Sequence, residues 1–596
     1  MKKLFVSILL CWVSWSVFAQ TNIPGFVRLY GSKSEGIPYA KIVRDNGDAA
    51  ESDNNGSFSI SISEDYDRKQ VRLKVIPPTA DYVVMEVDGL YHYIADIDAT
   101  AGRVDPLIIT LCSKKVYEDM VLKLAKPYID KLLEEQEIEL TALYDKKAQL
   151  TETDFKKQLE FVKEKYELFQ KEHMELTAKM ARIDPEHADE YLRKARECFE
   201  EGNIEGAKKY LPSYERAKGD VVRGKMVMSL WLSFAKIERN FYDVRQKYDD
   251  ILVHTGVPES YNLLFECSEY LFQNRIFDAS LVNESLKYAI TADSLYKLPL
   301  HSKIYFNNLV GKITKEQGKK DYYENYKESV IAYIGNKKDT LNHYESKKNV
   351  AISYTLLADY YKEKRNTQKA EDNYKEALRL YIILFKKNKS DNLNYLQCLI
   401  KIADFYSMTG KRTLLAQCNE RIDTLIKFAN LNKENLADIN MLMGNLNLNS
   451  SPFEAYIKYD FALRYYLTKD RIIYKDKAVK AALGAALACN NDGFYTKVFE
   501  YCDTISNRVN IDSTAIGAAV HALLGNAYKR GKILKNKEKT KYYFSKAEEI
   551  SKKIKDKRLD DFIYSIKHER WIVWRDGFVY PVIGWGTAYF SYLILI

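Results

Sequence analysis

The chain has 596 residues, of which 46% are apolar and 29% are charged, and only 12 are prolines. This composition excludes a collagen-like or broadly disordered chain, and a mean hydropathy of −0.38 excludes a protein built of many membrane spans. The net charge of +9 would suit a nucleic-acid partner, but it is concentrated at the two ends. Residues 1–19 carry two Lys, and residues 529–576 carry 16 Lys and Arg against 8 Asp and Glu. The body of the chain is therefore close to neutral, and we expect no nucleic-acid partner.

Residues 1–19 have the pattern of a secretion signal. Lys2 and Lys3 precede an apolar run from Leu4 to Trp15, and Ala19 ends a cleavage pattern. The run is shorter than the roughly 20 residues that span a bilayer, which favours a cleaved signal over a retained anchor. We expect an exported protein of the periplasm or cell envelope.

Residues 20–112 are predicted to form short β-strands. Ser57–Ser63 alternates polar and apolar residues, and turn-forming residues directly precede it. The region resembles the carboxypeptidase regulatory-like domain, a seven-stranded transthyretin-like sandwich, in Gly36, Pro38, Asp53, Gly56 and Phe58. The resemblance implies a small antiparallel β-sandwich that acts as a spacer or a binding module without catalysis.

Residues 113–184 are predicted to form a helical hairpin. One apolar seam steps by four and three residues through Phe155, Leu159, Val162, Tyr166, Phe169, His173, Leu176 and Met180. Thr151–Asp154 offers helix N-cap chemistry between this seam and a weaker upstream one. One continuous coiled-coil helix is the alternative. His173 is interpreted as a residue that sets register, with a pH-sensitive element as the alternative.

Residues 185–565 carry a repeated helical pattern. Its best copy resembles the tetratricopeptide (TPR) repeat at every framework position but one, where Ile382 replaces the usual Pro. The matching residues are Tyr354, Leu357, Ala358, Tyr361, Ala370, Tyr374 and Ala377. Small residues in this pattern let two helices approach closely, and aromatic residues fill the holes between them.

The best copy has Ala358 where its two helices cross, and weaker copies place a small residue at the same point. Together these residues are Gly311, Ala358, Ala403, Gly444, Gly484 and Gly525, separated by 47, 45, 41, 40 and 41 positions. The usual TPR unit has about 34 residues, so the helices or their links are predicted to be longer. The expected fold is mainly α: a TPR-like solenoid preceded by a small β-sandwich and a helical hairpin or coiled coil.

The sequence announces no catalytic chemistry. It has no phosphate-binding glycine loop, HExxH motif or nucleophile elbow. The seven cysteines after the signal are scattered without metal-ligand spacing, so we expect small buried residues rather than a disulfide framework. The prediction is a protein that is not an enzyme and that uses no cofactor or metal.

The TPR resemblance implies a binding surface on the first helix of each pair. Carrying the family's surface positions over to this chain gives Asn308, Lys312, Lys315, Asp359, Lys362, Glu363, Asp404 and Asn526. These mixed polar side chains suit an extended peptide or a helix of a protein partner. They do not reproduce the Lys/Asn clamp with which some TPR domains hold a C-terminal carboxylate.

The C-terminal tail, 566–596, contains an apolar segment. Gly577–Ile596 has 20 residues without a charge and follows the basic stretch. Its length would span a bilayer, but Pro581 and three glycines count against a simple anchor. The basic stretch suits either an anionic surface or a solvated helix face.

The preferred function is an exported scaffold that binds a protein or peptide partner. The alternative is the periplasmic sensor portion of a membrane-bound TPR regulator whose output domain is absent. A hydrolase within the sandwich is a third hypothesis, for which no nucleophile or acid–base pair is visible.

Overall fold

The computed structural model describes residues 20–575 except for 45–47, 64–69, 88–93, 99–105, 147–148, 219–223, 256–260, 336–343, 388–392, 429–432, 449, 470–471, 510, 532–533 and 556. The predicted signal and the apolar segment Gly577–Ile596 lie outside the described residues. The chain is mostly helical and begins with a small β region, which confirms the predicted mainly α class. Its described residues form two compact units. The first unit takes the chain up to residue 136 together with 161–296, and the second takes 137–160 together with the chain from 297 onward.

The β region has two four-stranded sheets. The strands are β1 (Gln20–Leu29), β2 (Lys41–Arg44), β3 (Ala49–Glu51), β4 (Ser57–Ser63), β5 (Gln70–Ile76), β6 (Tyr82–Val87), β7 (Ile94–Asp98) and β8 (Leu107–Ser113). The strand orders are β4-β1-β8-β6 and β3-β2-β5-β7. One buried cluster draws residues from both sheets, including Val27, Ile42 and Leu73.

The β region departs from the expectation in one pairing. β1 and β8 run parallel, with Gly25 opposite Leu107, whereas the other described strand pairs are antiparallel, as predicted. A parallel pair joins strands from the two ends of the region, which local sequence pattern cannot indicate. The turn before β4 agrees with its sequence: Asp53 accepts backbone hydrogen bonds from Asn55 and Ser57, and Gly56 has a φ of +84°.

Two long helices follow the sheets. They are α1 (Lys114–Asp145) and α2 (Glu152–Ala181), two helices rather than one continuous helix. The two helices run antiparallel, because the Tyr117 hydroxyl reaches the Ala178 carbonyl and the Tyr144 and Phe155 rings meet near the turn. Seam residues such as Phe155 and Leu176 are buried. Residues 137–160, at the turn, belong to the second unit.

The remaining helices of the first unit are shorter. They are α3 (Glu190–Glu200), α4 (Ile204–Tyr210), α5 (Tyr214–Lys218), α6 (Gly224–Glu238), α7 (Phe241–Thr255), α8 (Tyr261–Gln273) and α9 (Leu281–Leu295). Their core also includes Leu124 of α1 and Leu176 of α2. The parts of α1 and α2 that lie outside residues 137–160 therefore pack into this unit.

The second unit consists of consecutive helix pairs. The first helices are α10 (Leu300–Glu316), α12 (Tyr344–Glu363), α14 (Leu393–Met408), α16 (Lys433–Asn447), α18 (Ile472–Asp492) and α20 (Ala515–Arg530). The second helices are α11 (Tyr323–Gly335), α13 (Thr367–Lys387), α15 (Arg412–Phe428), α17 (Pro452–Leu467), α19 (Tyr495–Ser506) and α21 (Lys537–Ile554), and α22 (Lys557–Arg575) follows. Each first helix contacts its own second helix and the first helix of the next pair.

The six small residues singled out in the sequence all lie on first helices and pack tightly. A Cβ added at Gly311 would lie 2.3 Å from the ring of Tyr326, and one added at Gly444 would lie 2.8 Å from Tyr459. Tyr459 also fills the space beside Gly484, at 2.5 Å. The expectation that aromatic rings occupy the room left by small residues is therefore confirmed at these glycines.

Candidate interaction surface

Adjacent first helices bring most of the predicted surface residues together. Lys315 on α10 pairs with Glu363 on α12 at 2.9 Å, and Lys362 on α12 pairs with Asp404 on α14 at 2.9 Å. A third pair joins α12 to α14 between Asp359 and Lys401, at 2.5 Å. We name this group the charged strip: Lys315, Asp359, Lys362, Glu363, Lys401 and Asp404. Its three cations and three anions cancel.

Asp359 is the most firmly held member of the charged strip. The hydroxyl of Tyr374, on the second helix of the same pair, donates to one carboxylate oxygen at 2.6 Å, and Lys401 contacts the other. Burial raises the pKa of Tyr374, and the neighbouring Asp359 charge adds to that rise, so the phenol remains a donor. Asp359 therefore orients Lys401 and has little capacity left for a partner.

The outer members of the strip are accessible to a partner. The side chains of Lys315, Glu363 and Asp404 are 49%, 51% and 46% exposed. Partial burial disfavours the charged form of Lys315, but the hydrogen bond and charge of Glu363 outweigh it and raise the Lys315 pKa. Ion pairs this exposed contribute only about 0.2–1 kcal/mol to stability. A partner can therefore replace them at little cost to the fold.

Tyrosines border the charged strip. The rings of Tyr323 and Tyr360 stack with centroids 4.2 Å apart, and Tyr322 meets Tyr360 edge-on at 5.6 Å. The Tyr322 hydroxyl donates to Glu363 at 3.3 Å, which links these rings to the strip. We name Tyr322, Tyr323 and Tyr360 the tyrosine cluster. Tyrosine is among the residue types enriched at the positions that contribute most binding energy in protein interfaces.

The other predicted residues have different surroundings. Asn308 is buried, where its side chain donates to the Asn349 carbonyl at 2.9 Å and accepts from Ser353 at 2.8 Å. Asn526 is buried and donates to Asn490 on the preceding first helix at 2.8 Å. Both amides link neighbouring helix pairs internally. Lys312 is exposed on α10.

Sequence reasoning missed Lys401 and the tyrosine cluster. Lys401 lies two residues before the small residue Ala403. The position of Lys401 is not among the surface positions implied by the TPR resemblance. The doublets Tyr322-Tyr323 and Tyr360-Tyr361 are visible in the sequence. Tyr322-Tyr323 lies at the start of α11 and Tyr360-Tyr361 in the last turn of α12. Each doublet therefore borders the link within its helix pair, and that is the signal that could have found them.

A second group of charged side chains lies inside the first unit. Lys236 contacts Glu175 at 3.0 Å and Glu266 at 3.1 Å, and Lys179 contacts Glu175 at 3.1 Å. Arg239 contacts Glu172 at 3.0 Å. We name five of these residues the buried charge cluster: Glu172, Glu175, Lys179, Lys236 and Arg239. The cluster joins α2 to α6 and to Arg239, which follows α6. Glu266 on α8 pairs with it from the surface, since its side chain is 49% exposed.

Burial sets the electrostatics of this cluster. It raises the pKa of Glu172 to about 7, because the lowering effects of Arg239 and Asn274 offset only part of the desolvation. At Glu175 the two lysines outweigh desolvation and lower the pKa to about 2. Burial, together with the nearby charges of Arg239 and Lys131, lowers the pKa of His173 to about 4. His173 is therefore neutral near pH 7 and stacks on Tyr128 at 5.6 Å.

The described residues contain no group of three or more His, Cys, Asp or Glu side chains that could hold a metal ion. The seven cysteines of this region are free, and all but Cys198 are buried, as their scattered spacing predicted. Within the same part of the chain, no helix combines the length and apolarity that crossing a bilayer requires. No protein-family model matches the sequence, and no curated protein matches it either.

Proposed function

We propose that the protein is an exported interaction scaffold whose second unit binds a protein or peptide partner along the charged strip and the tyrosine cluster. The observation that carries this proposal is the side-by-side contact of α10, α12 and α14, which places predicted surface residues from three helix pairs on adjacent helices. Stacked helix pairs that extend in one direction form long binding surfaces.

The finer architecture belongs to this proposal. The succession of pairs, with small residues at each crossing and contacts between consecutive first helices, supports a TPR-like solenoid. The shared core of the two sheets supports a β-sandwich of the carboxypeptidase regulatory-like kind, with eight strands where that family has seven. The β domain would then serve as a spacer or second binding module.

The partner is expected to be an extended or helical segment that carries charges of both signs. The charged strip is neutral overall, so net charge alone selects neither an acidic nor a basic partner. Its alternating signs instead favour a particular order of charges, which gives specificity more than affinity. An apolar or aromatic residue of the partner would pack on the tyrosine cluster.

A charge swap tests this surface without removing its internal pair. Lys315→Glu with Glu363→Lys keeps an ion pair in the same place but reverses the charges that a partner meets. The matched control is Glu376→Arg with Arg379→Glu on α13, an equally exposed pair at 2.9 Å. In a quantitative pull-down with the full chain, proteins retained by wild type should be lost with the strip swap and kept with the control swap. Equal retention by both variants would place the partner elsewhere.

A further inference from the structure

We propose that the turn between α20 and α21 binds the surface of an anionic lipid bilayer. Six cations lie at the end of α20, in the link and at the start of α21. We name them the basic edge: Lys529, Arg530, Lys535, Lys537, Lys539 and Lys541. All six are exposed, and the only acidic residue from 529 to 541 is Glu538.

The cations of the basic edge differ from other lysines of the same helices. Within the described residues, Lys535, Lys537 and Lys541 contact no carboxylate, and Lys539 contacts the Tyr528 hydroxyl and ring. Further along α21, by contrast, Lys546 and Lys553 both pair with Glu549. Among the described residues, the positive charge of Lys535, Lys537 and Lys541 is therefore not neutralised by a neighbouring anion.

These cations also lie where they oppose helix stability. Asn536 caps α21 by accepting from the Lys539 amide, so Lys537, Lys539 and Lys541 occupy the first turns of the helix. The N-terminal end of a helix carries partial positive charge and favours anions there. The lysines and the helix end therefore reinforce one positive field, which an external anion would relieve.

Two further features favour a membrane over an acidic protein. Tyr542 is 56% exposed beside the basic edge, and tyrosine is a residue of membrane–water interfaces. Lys529 donates to the Lys567 carbonyl at 2.7 Å, so α22 lies against this edge. The chain beyond α22 continues into Gly577–Ile596, whose sequence is uncharged and rich in aromatic residues. As a sequence pattern, a cluster of cations followed by an uncharged, aromatic-rich stretch is typical of chains that contact anionic membrane surfaces.

Vesicle flotation of the full chain tests this proposal. Wild type should float with phosphatidylcholine vesicles that contain phosphatidylglycerol, and should bind pure phosphatidylcholine much more weakly. Lys535→Gln, Lys537→Gln and Lys541→Gln together should weaken binding about 100-fold, because each lysine near an anionic surface contributes roughly fivefold. The corresponding Arg substitutions should retain binding and so show that charge is the cause.

The matched control removes three lysines from the end of α21 and the turn into α22. Lys552→Gln, Lys555→Gln and Lys557→Gln change the net charge equally at the opposite end of α21, which is about 25 Å long, and should leave binding within about twofold of wild type. Equal loss in both triple variants would show that net charge alone drives binding. Equal binding to both vesicle types, or no binding to either, would overturn the proposal, as would capture by an acidic polypeptide but not by vesicles.

Discussion

In the first unit, two acidic and three basic side chains, none more than 33% exposed, meet between packed helices. In the second unit, three acidic and three basic side chains, up to 51% exposed, lie on the outside of neighbouring helices. Lys236 of the buried charge cluster is 4% exposed, while Lys315 of the charged strip is 49% exposed. Burial makes the first group costly to disturb and unavailable to a partner. Exposure makes the second group cheap to disturb and available. The presence of charge pairs alone therefore does not indicate a binding surface, whereas their exposure to solvent does.

The largest expected effect comes from removing the central cation of the buried charge cluster. Lys236→Met would leave Glu175 with Lys179 as its remaining cation and would leave the half-exposed Glu266 to solvent, so it should destabilise the first unit by about 3 kcal/mol. Hydrogen exchange measured by mass spectrometry would follow peptides of the two units separately. Lys315→Met is the control, because a half-exposed cation should cost at most about 1 kcal/mol. Equal losses from the two variants would remove the distinction between the units.

The next effect is a pair of opposed pH dependences at adjacent residues. Between about pH 4.5 and 7, native Glu172 keeps a proton that the unfolded chain has released, so its contribution lowers stability as pH rises. Between about pH 4 and 6.5, native His173 lacks a proton that the unfolded chain binds, so its contribution raises stability with pH. The two contributions should largely cancel in the wild type.

Single substitutions should expose each half of this balance. As pH rises from 4.5 to 7, the free energy of unfolding of His173→Phe should fall by about 2–3 kcal/mol relative to wild type. Below pH 6.5, the free energy of unfolding of Glu172→Gln should instead rise with pH by a similar amount relative to wild type. Denaturant unfolding of the first unit at several pH values gives the differences. If both variants follow the wild-type pH curve, neither group is buried as described.

A smaller effect tests the close crossing of helices in the second unit. Gly311→Ala would place a Cβ 2.3 Å from the buried Tyr326 ring and should cost about 1–3 kcal/mol through overpacking. Gly335→Ala is the matched control, since nothing lies within 4 Å of its added Cβ. It should be neutral or slightly stabilising. Thermal unfolding would compare the two, and a tolerated Gly311 substitution would argue against close helix crossing.

The smallest effect belongs to the charged strip itself. A double-mutant cycle of Lys362→Ala and Asp404→Ala should give a coupling energy of about 1 kcal/mol or less, and added salt should reduce it. Denaturant unfolding of the four proteins supplies the numbers. A salt-insensitive coupling of several kcal/mol would show that the strip is structural, like the buried charge cluster.

The sequence predicted features that depend on local spacing. The helix-rich class, the hairpin of α1 and α2 and the crossing glycines all follow from periodicity within short windows. It also located Lys315, Lys362, Glu363 and Asp404, because one repeat framework defines their positions. Local spacing does not predict pairing between distant segments, and the parallel pair of β1 and β8 joins the two ends of the β region.

The buried amides show the same limit. Asn308 and Asn526 occupy framework positions that were expected to face a partner, yet each contacts a neighbouring helix pair. Asn526 occupies the same framework position as Asp359 and Asp404 but is buried, whereas those two are partly exposed, so framework position alone does not determine burial. The charged side chains of α2, α6 and α8 come together only through tertiary packing, so no local spacing in the sequence predicts their contacts.

Site-specific photo-crosslinking tests the scaffold function most directly. A photoreactive amino acid in place of Glu363, in the charged strip, should form a discrete crosslinked product in cells, and excess unmodified protein should compete it away. The same group in place of Glu376 on α13 is the matched position outside the strip. The account predicts the product from the first position and not from the second. A product from Glu376 alone, or from both positions equally, would contradict binding along the charged strip.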